Sequence, residues 1–182
     1  MFYYIYRLDL TAVIAVIAVS VPLWAGVMRL LSGINPRAVR AVNAVLAAVS
    51  LAGIVYATLI RSPSHTREIF LMPFHSFIEA KAQKEMYREM LMNVFLFTPL
   101  GLTAPFALAK TSALERTGEK RLKSVLVTVL FALAFAVIIE AAQFVFATGR
   151  CETDDVLCNT LGAAVGALAF IIATFHRRHA EK

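Results

Sequence analysis

The chain has 182 residues, 59% of them hydrophobic and only 16% charged, with a mean hydropathy of +0.71. A soluble domain carries about a quarter charged residues, so this balance excludes an ordinary water-soluble fold and points to lipid as the solvent. The formal net charge of +6 is no nucleic-acid signature, because no basic stretch is interleaved with aromatic residues; in a membrane protein, Lys and Arg gather in cytoplasmic loops and along anionic headgroups.

Five runs are long and apolar enough to predict membrane-spanning helices: 10–28, 41–60, 91–109, 124–149 and 156–175. The first follows Arg7 and Asp9 and is too long for the apolar region of a signal peptide. Pro22, Pro99 and Pro105 fall inside spans and are expected to kink their helices, which neighbouring helices accommodate. Between the second and third spans, Ile78, Ala82, Met86 and Met90 recur every four residues, with Glu79, Lys81, Lys84, Glu85 and Arg88 between them. That spacing predicts an amphipathic helix over 74–90, lying on the membrane surface or over the end of the bundle. The segment 110–123, with Thr117 and Gly118, reads as a solvated connection. No internal repeat or linker divides the chain. The expected fold class is all-α: one domain over 1–182, a bundle of five transmembrane helices plus an interfacial amphipathic helix.

Five spans put the termini on opposite sides. The loops 29–40 and 110–123 and the tail after 175 share eleven Lys and Arg, against seven for the N-terminus, the segment 61–90 and Arg150 together. The positive-inside rule then favours an outward N-terminus and a cytoplasmic C-terminus.

Polar residues gather at one end of these spans. Arg61 closes the second and Asn93 opens the third; Glu140 and Gln143 lie late in the fourth, and Arg150, Asp154, Asp155 and Asn159 follow around the start of the fifth. Burying such groups is costly unless they pair, so their shared depth suggests one site. Glu140 stands about 13 Å of helix rise from Gly149, and Gln143, three residues on, shares its face. A structural ion pair of Glu140 with Arg61 or Arg150 is the competing explanation. Asp155, Asn159, Gly162 and Gly166 form one stripe, in which the two glycines permit close helix approach. Thr153, Asp154 and Asp155 also fit ordinary helix capping and dipole chemistry.

Other residues carry weaker signals. His65 and His75 could join the carboxylates at a divalent metal, but no ligand spacing supports one, and no cofactor is expected. Ser62, Ser64 and Ser76 are nucleophiles only beside a base, while His176 and His179 belong to a basic tail. Cys151 and Cys158 would sit about 10 Å apart on a continuous helix, beyond disulfide reach, so free thiols are expected. GxSxG, P-loop and HExxH patterns are all absent from the sequence.

In sequence order, TLIR at 58–61, LMPFHS at 71–76, NVFLFTPLG at 93–101, EAAQ at 140–143 and GRCETDDVLCNTLGAAVG at 149–166 resemble the VanZ-like family of bacterial membrane proteins, named for a teicoplanin-resistance factor. The likeness runs over about 58–170 and leaves the first span outside. Its polar positions fall on Arg61, Asn93, Glu140, Gln143, Arg150, Asp154, Asp155 and Asn159. It implies a multi-pass protein of the bacterial cell membrane linked to lowered susceptibility to lipoglycopeptides, without a settled biochemical mechanism. Three functions fit these residues. An outward polar pocket could bind an antibiotic or a lipid-linked cell-wall headgroup, with Arg61 and Arg150 holding phosphate or carboxylate. An enzyme could act on a lipid-linked phosphate or ester, with Glu140, Asp154 and Asp155 as acid, base or metal ligands. A structural protein would use the same cluster to lock its helices. Membrane lipids are the expected partners, and nucleic acid is not.

Overall fold

The computed structural model describes residues 9–60, 68–74, 84–109 and 118–175. Helix α1 runs over Leu10–Ile34, where Asp9 caps it by accepting the Thr11 N–H at 3.0 Å. Asn35 alone separates it from α2, Pro36–Val55, which continues as a π-helical turn over Tyr56–Ile60. The turn is tight because Asn35 does two jobs. Its backbone N–H closes α1 onto Leu31, and its side chain accepts the Ala38 N–H at 3.0 Å, with Pro36 preset for the first helical turn. A two-residue strand β1, Ile69–Phe70, precedes α3, Lys84–Leu108; α4 spans Gly118–Phe146; β2, Cys151–Glu152, leads directly into α5, Thr153–Phe175. The two strands pair in parallel, Ile69 with Cys151 and Phe70 with Glu152, and the Cys151 N–H bonds the Glu68 carbonyl at 2.9 Å.

All five helices are long and apolar enough to cross a membrane. Their packing suits a lipid solvent, where association rests on close contact between small residues and not on water exclusion. Ala132, Ala136, Ala163, Ala167 and Ala169 are fully buried, while Leu23, Leu30, Leu130 and Ile138 face outward. One core cluster joins Ile54, Phe97, Leu100, Ile139 and Ala163; the other joins Met28, Val39, Phe106 and Phe170, whose rings meet edge to face at 5.0 Å.

The element limits differ from the sequence expectations at four places. The loop expected over 29–40 shrinks to Asn35, because α1 runs on to Ile34 and α2 begins at Pro36. The segment expected as an amphipathic helix over 74–90 divides: 75–83 lie outside the described residues, and 84–90 form the opening turns of α3, because Met86 and Met90 are buried in the bundle. Residues 118–123, expected in a solvated connection, are helical and begin α4. One of them, Arg121, donates to the Thr174 carbonyl at 2.8 Å and caps the end of α5, as Arg40 caps α3 through the Ala107 carbonyl at 3.1 Å. Helix α4 ends at Phe146 rather than Gly149. The Thr148 N–H returns to the Gln143 carbonyl and the Ala147 N–H to that of Phe144, with Ala147 at φ 55°. That is a Schellman closure built without the usual glycine.

Candidate functional site

The site is assembled from the segment that follows this closure. In an extended segment, residues two apart point the same way, so Arg150 and Glu152 stand side by side. The Arg150 Nε meets the Glu152 carboxylate at 2.9 Å. Its Nη2 lies 3.6 Å from Glu89 on α3, and its guanidinium stands 5.9 Å from the centre of the Phe70 ring. Arg150 is thereby tied to β1, β2 and α3 at once.

Glu140 is buried at 4% exposure, and its Oε2 accepts the Glu152 N–H at 3.0 Å. Neither Glu140 oxygen forms a salt bridge with Arg150; the arginine's carboxylate partners are Glu152 and Glu89. Asp154 is 1% exposed, and its Oδ1 accepts the Phe74 N–H at 2.6 Å across eighty positions of sequence. This carboxylate therefore does more than cap α5. It holds Phe74, whose φ of 64° is left-handed and costly for an aromatic residue. Asp155 lies within reach of the Asn93 side chain and near Glu152, Glu89 and Arg150.

The stripe on α5 packs as its spacing implies. Asn159, Gly162 and Gly166 are buried, and the two glycines lie against α3. A methyl group added to Gly162 would lie 2.1 Å from the Val94 carbonyl oxygen, and one on Gly166 2.3 Å from that of Thr98. Gly101 answers from α3, where an added methyl would stand 2.1 Å from the Ala163 carbonyl oxygen. These contacts draw Asn93 and Asp155 together. Two buried acceptors at the same end of the bundle, Asn159 Oδ1 on α5 and Gln143 Oε1 on α4, have no hydrogen-bond partner among the described residues. Such orphans in a polar cluster are the groups a ligand donor or water would satisfy.

Of the expected site residues, Asn93, Glu140, Gln143, Arg150, Asp154, Asp155 and Asn159 stand at one end of the bundle, while Arg61 lies outside the described residues. So do His65, His75, Ser62, Ser64, Ser76, His176 and His179. Glu89 and Glu152 belong to the cluster but were not among the expected site residues. Both were signalled: Glu89 sits one helical turn before Asn93, and Glu152 shares Arg150's side of an extended segment. Among the described residues, no three His, Cys, Asp or Glu side chains are grouped to hold a metal ion. The described geometry thus does not fit a divalent cation held by Glu140, Asp154 and Asp155. Cys151 has left the helix for β2 and Cys158 is buried in α5; both thiols are free. Burial pushes the Cys151 thiol above its ordinary pKa, and the nearby Glu140, Asp155 and Glu152 carboxylates push it further.

Membrane-length helices with a polar cluster sunk among their ends define a multi-pass integral membrane protein. The chain matches the VanZ/LLP1 family over residues 42–174 and belongs to that family. It is similar to Protein VanZ of Enterococcus faecium, with 27% identity over 112 residues, which cover 62% of this chain and 58% of the relative. The match thus spans somewhat less than two thirds of that curated protein. No solved structure matches. Helix α1 precedes the family region, yet it packs against α3 and α5.

Proposed function

We propose that this protein acts in glycopeptide resistance of the teicoplanin type, with the cluster around Glu140 and Asp155 facing outward and engaging the polar part of an antibiotic or of a lipid-linked cell-wall precursor. Family membership supports the resistance role. The observation that carries the binding role is that two buried acceptors at the cluster end, Asn159 Oδ1 on α5 and Gln143 Oε1 on α4, are unsatisfied among the described residues. A ligand bearing amide, hydroxyl or ammonium donors would complete them.

Expression in a susceptible bacterial host tests the reading. The wild type raises the teicoplanin concentration needed to stop growth, and Asn159→Leu, which removes an unsatisfied acceptor, abolishes the gain at equal protein level. Unchanged susceptibility with the wild-type chain overturns the resistance role.

A structural role has its own support. Glu140 and Asp154 each accept a backbone N–H, from Glu152 and from Phe74, so they clasp the connecting segments to the bundle. On that account, loss of resistance in variants of the cluster follows their loss of thermal stability in detergent. On the binding account, Asn159→Leu loses resistance while melting as the wild type does.

A further inference from the structure

The lipid-facing surface is indented beside the cluster. Helices α1, α3 and α5 leave an open groove of about 510 Å³, walled by Leu10 and Ile14, by Tyr87 and Met90, and by Cys158 and Leu161. Its lining is apolar except for the Tyr87 hydroxyl and the Cys158 thiol. Ile14 and Leu161 are each 54% exposed, so the groove continues the surface that meets hydrocarbon and can be entered sideways from the bilayer. Asp154 lies one turn before Cys158 on the same face of α5, beyond the lining residues and almost fully buried. Cys158 lies within electrostatic reach of Asp154 and Asp155, so this end of the groove adjoins the polar cluster.

Size narrows the occupant. The volume falls within the roughly 300–1,000 Å³ of small-molecule sites. The groove's walls are apolar and its open side faces hydrocarbon, so the bilayer itself supplies the occupant that matches it, an acyl chain. Such a chain gains contact on three walls where an ordinary lipid beside a span has one.

We propose that this groove binds one acyl chain of a membrane amphiphile, with the headgroup at the Asp154 end. Placement of the headgroup rests on the binding role given to the cluster; the seat of the chain rests on the groove alone.

The test uses the full-length protein in lipid nanodiscs doped with phosphatidylethanolamine, whose ammonium is a donor, carrying a diazirine midway along one acyl chain. After illumination, adducts are mapped by mass spectrometry. Adducts at Tyr87 and Met90 are expected to exceed those at Ile138 and Val145, on the outer face of α4, by about tenfold. Leu161→Trp and, separately, Ile14→Trp should each abolish that excess without lowering the melting temperature, since both positions are exposed. Equal yields at the groove and on α4 overturn the proposal, as does an excess that survives both substitutions. So does a protein-to-protein crosslink from p-benzoylphenylalanine placed at Leu91, which would show a polypeptide in the groove. Because the probe carries neither an antibiotic nor a cell-wall headgroup, this result is independent of the susceptibility assay. Labelling with no resistance retains the acyl-chain site and rejects the functional role; resistance with no labelling rejects the acyl-chain site alone.

Discussion

At the scale of single residues, Asp154 has the clearest mechanical task. Its Oδ1 accepts the Phe74 N–H at 2.6 Å and holds a left-handed aromatic residue in the segment before α3. Asp154→Ala removes the acceptor and leaves that backbone group without its partner. A hydrogen bond to a charged group contributes about 1.5–3 kcal/mol, and a loss of that order is expected in unfolding measured in detergent. Asp154→Asn keeps an acceptor oxygen and should retain most of the stability. Equal losses in both variants would mean that the charge, not the hydrogen bond, holds the segment. Cys151 allows a separate check on the same neighbourhood. Burial and the nearby Glu140, Asp155 and Glu152 carboxylates keep its thiol protonated above the ordinary range. Thiolate is the reactive form, so alkylation of Cys151 in a Cys158→Ser background should be slow near neutrality. Below its pKa the rate should rise by about tenfold per pH unit; a rate already level at neutral pH would contradict that environment.

At the scale of elements, the contact between α3 and α5 governs the rest. Carbonyl oxygens occupy the space where Gly101, Gly162 and Gly166 would carry a side chain. Gly162→Val must push α3 away from α5, and overpacking of this kind costs about 1–3 kcal/mol. The same shift parts Asn93 from Asp155, so resistance should fall together with stability. Gly26→Ala is the control, because nothing lies within 4 Å of its added methyl and the helix propensity change is at most about 1 kcal/mol in its favour. If Gly162→Val melted as the wild type does, the close approach would not be what positions the cluster. Much of this was legible in advance. The apolar runs gave the five spans, and the spacing of Asp155, Asn159, Gly162 and Gly166 gave the buried face of α5. Element ends were less legible, for reasons that lie in tertiary contacts. Glycine at 149 suggested the end of α4, but the chain closes that helix at Ala147 despite the steric cost. The basic residues 120–123 looked like a loop, yet Arg121 reaches the last carbonyls of α5 from within a helix. In the site, the expected spans could place Glu140 of α4 and Asp155 of α5 at the same end of the bundle. They could not show that Glu140 binds the Glu152 backbone, since that depends on the parallel pairing of β1 with β2.

At the scale of the whole molecule, the two ends of the bundle use arginine differently, and this bears on orientation. At the cluster end, Arg150 is paired with Glu152 and Glu89. At the opposite end, Arg40 and Arg121 donate to the carbonyls that finish α3 and α5. Helix termini carry only about half a charge, so those arginines keep most of their positive charge for the membrane surface, where Arg29 and Arg37 add to it. Translocation of such an end is disfavoured, so we propose that the arginine end faces the cytoplasm and the cluster the outside. A single cysteine in a Cys151→Ser, Cys158→Ser background tests this in intact cells. Met72 and Lys120 are exposed and lie at opposite ends of the bundle. A membrane-impermeant maleimide should label Met72→Cys in intact cells, and Lys120→Cys only after the membrane is opened. The reverse pattern would put the cluster in the cytoplasm. A ligand arriving from outside would then have no direct access to Glu140 and Asp155, and any resistance would have to act on cell-wall precursors before their export.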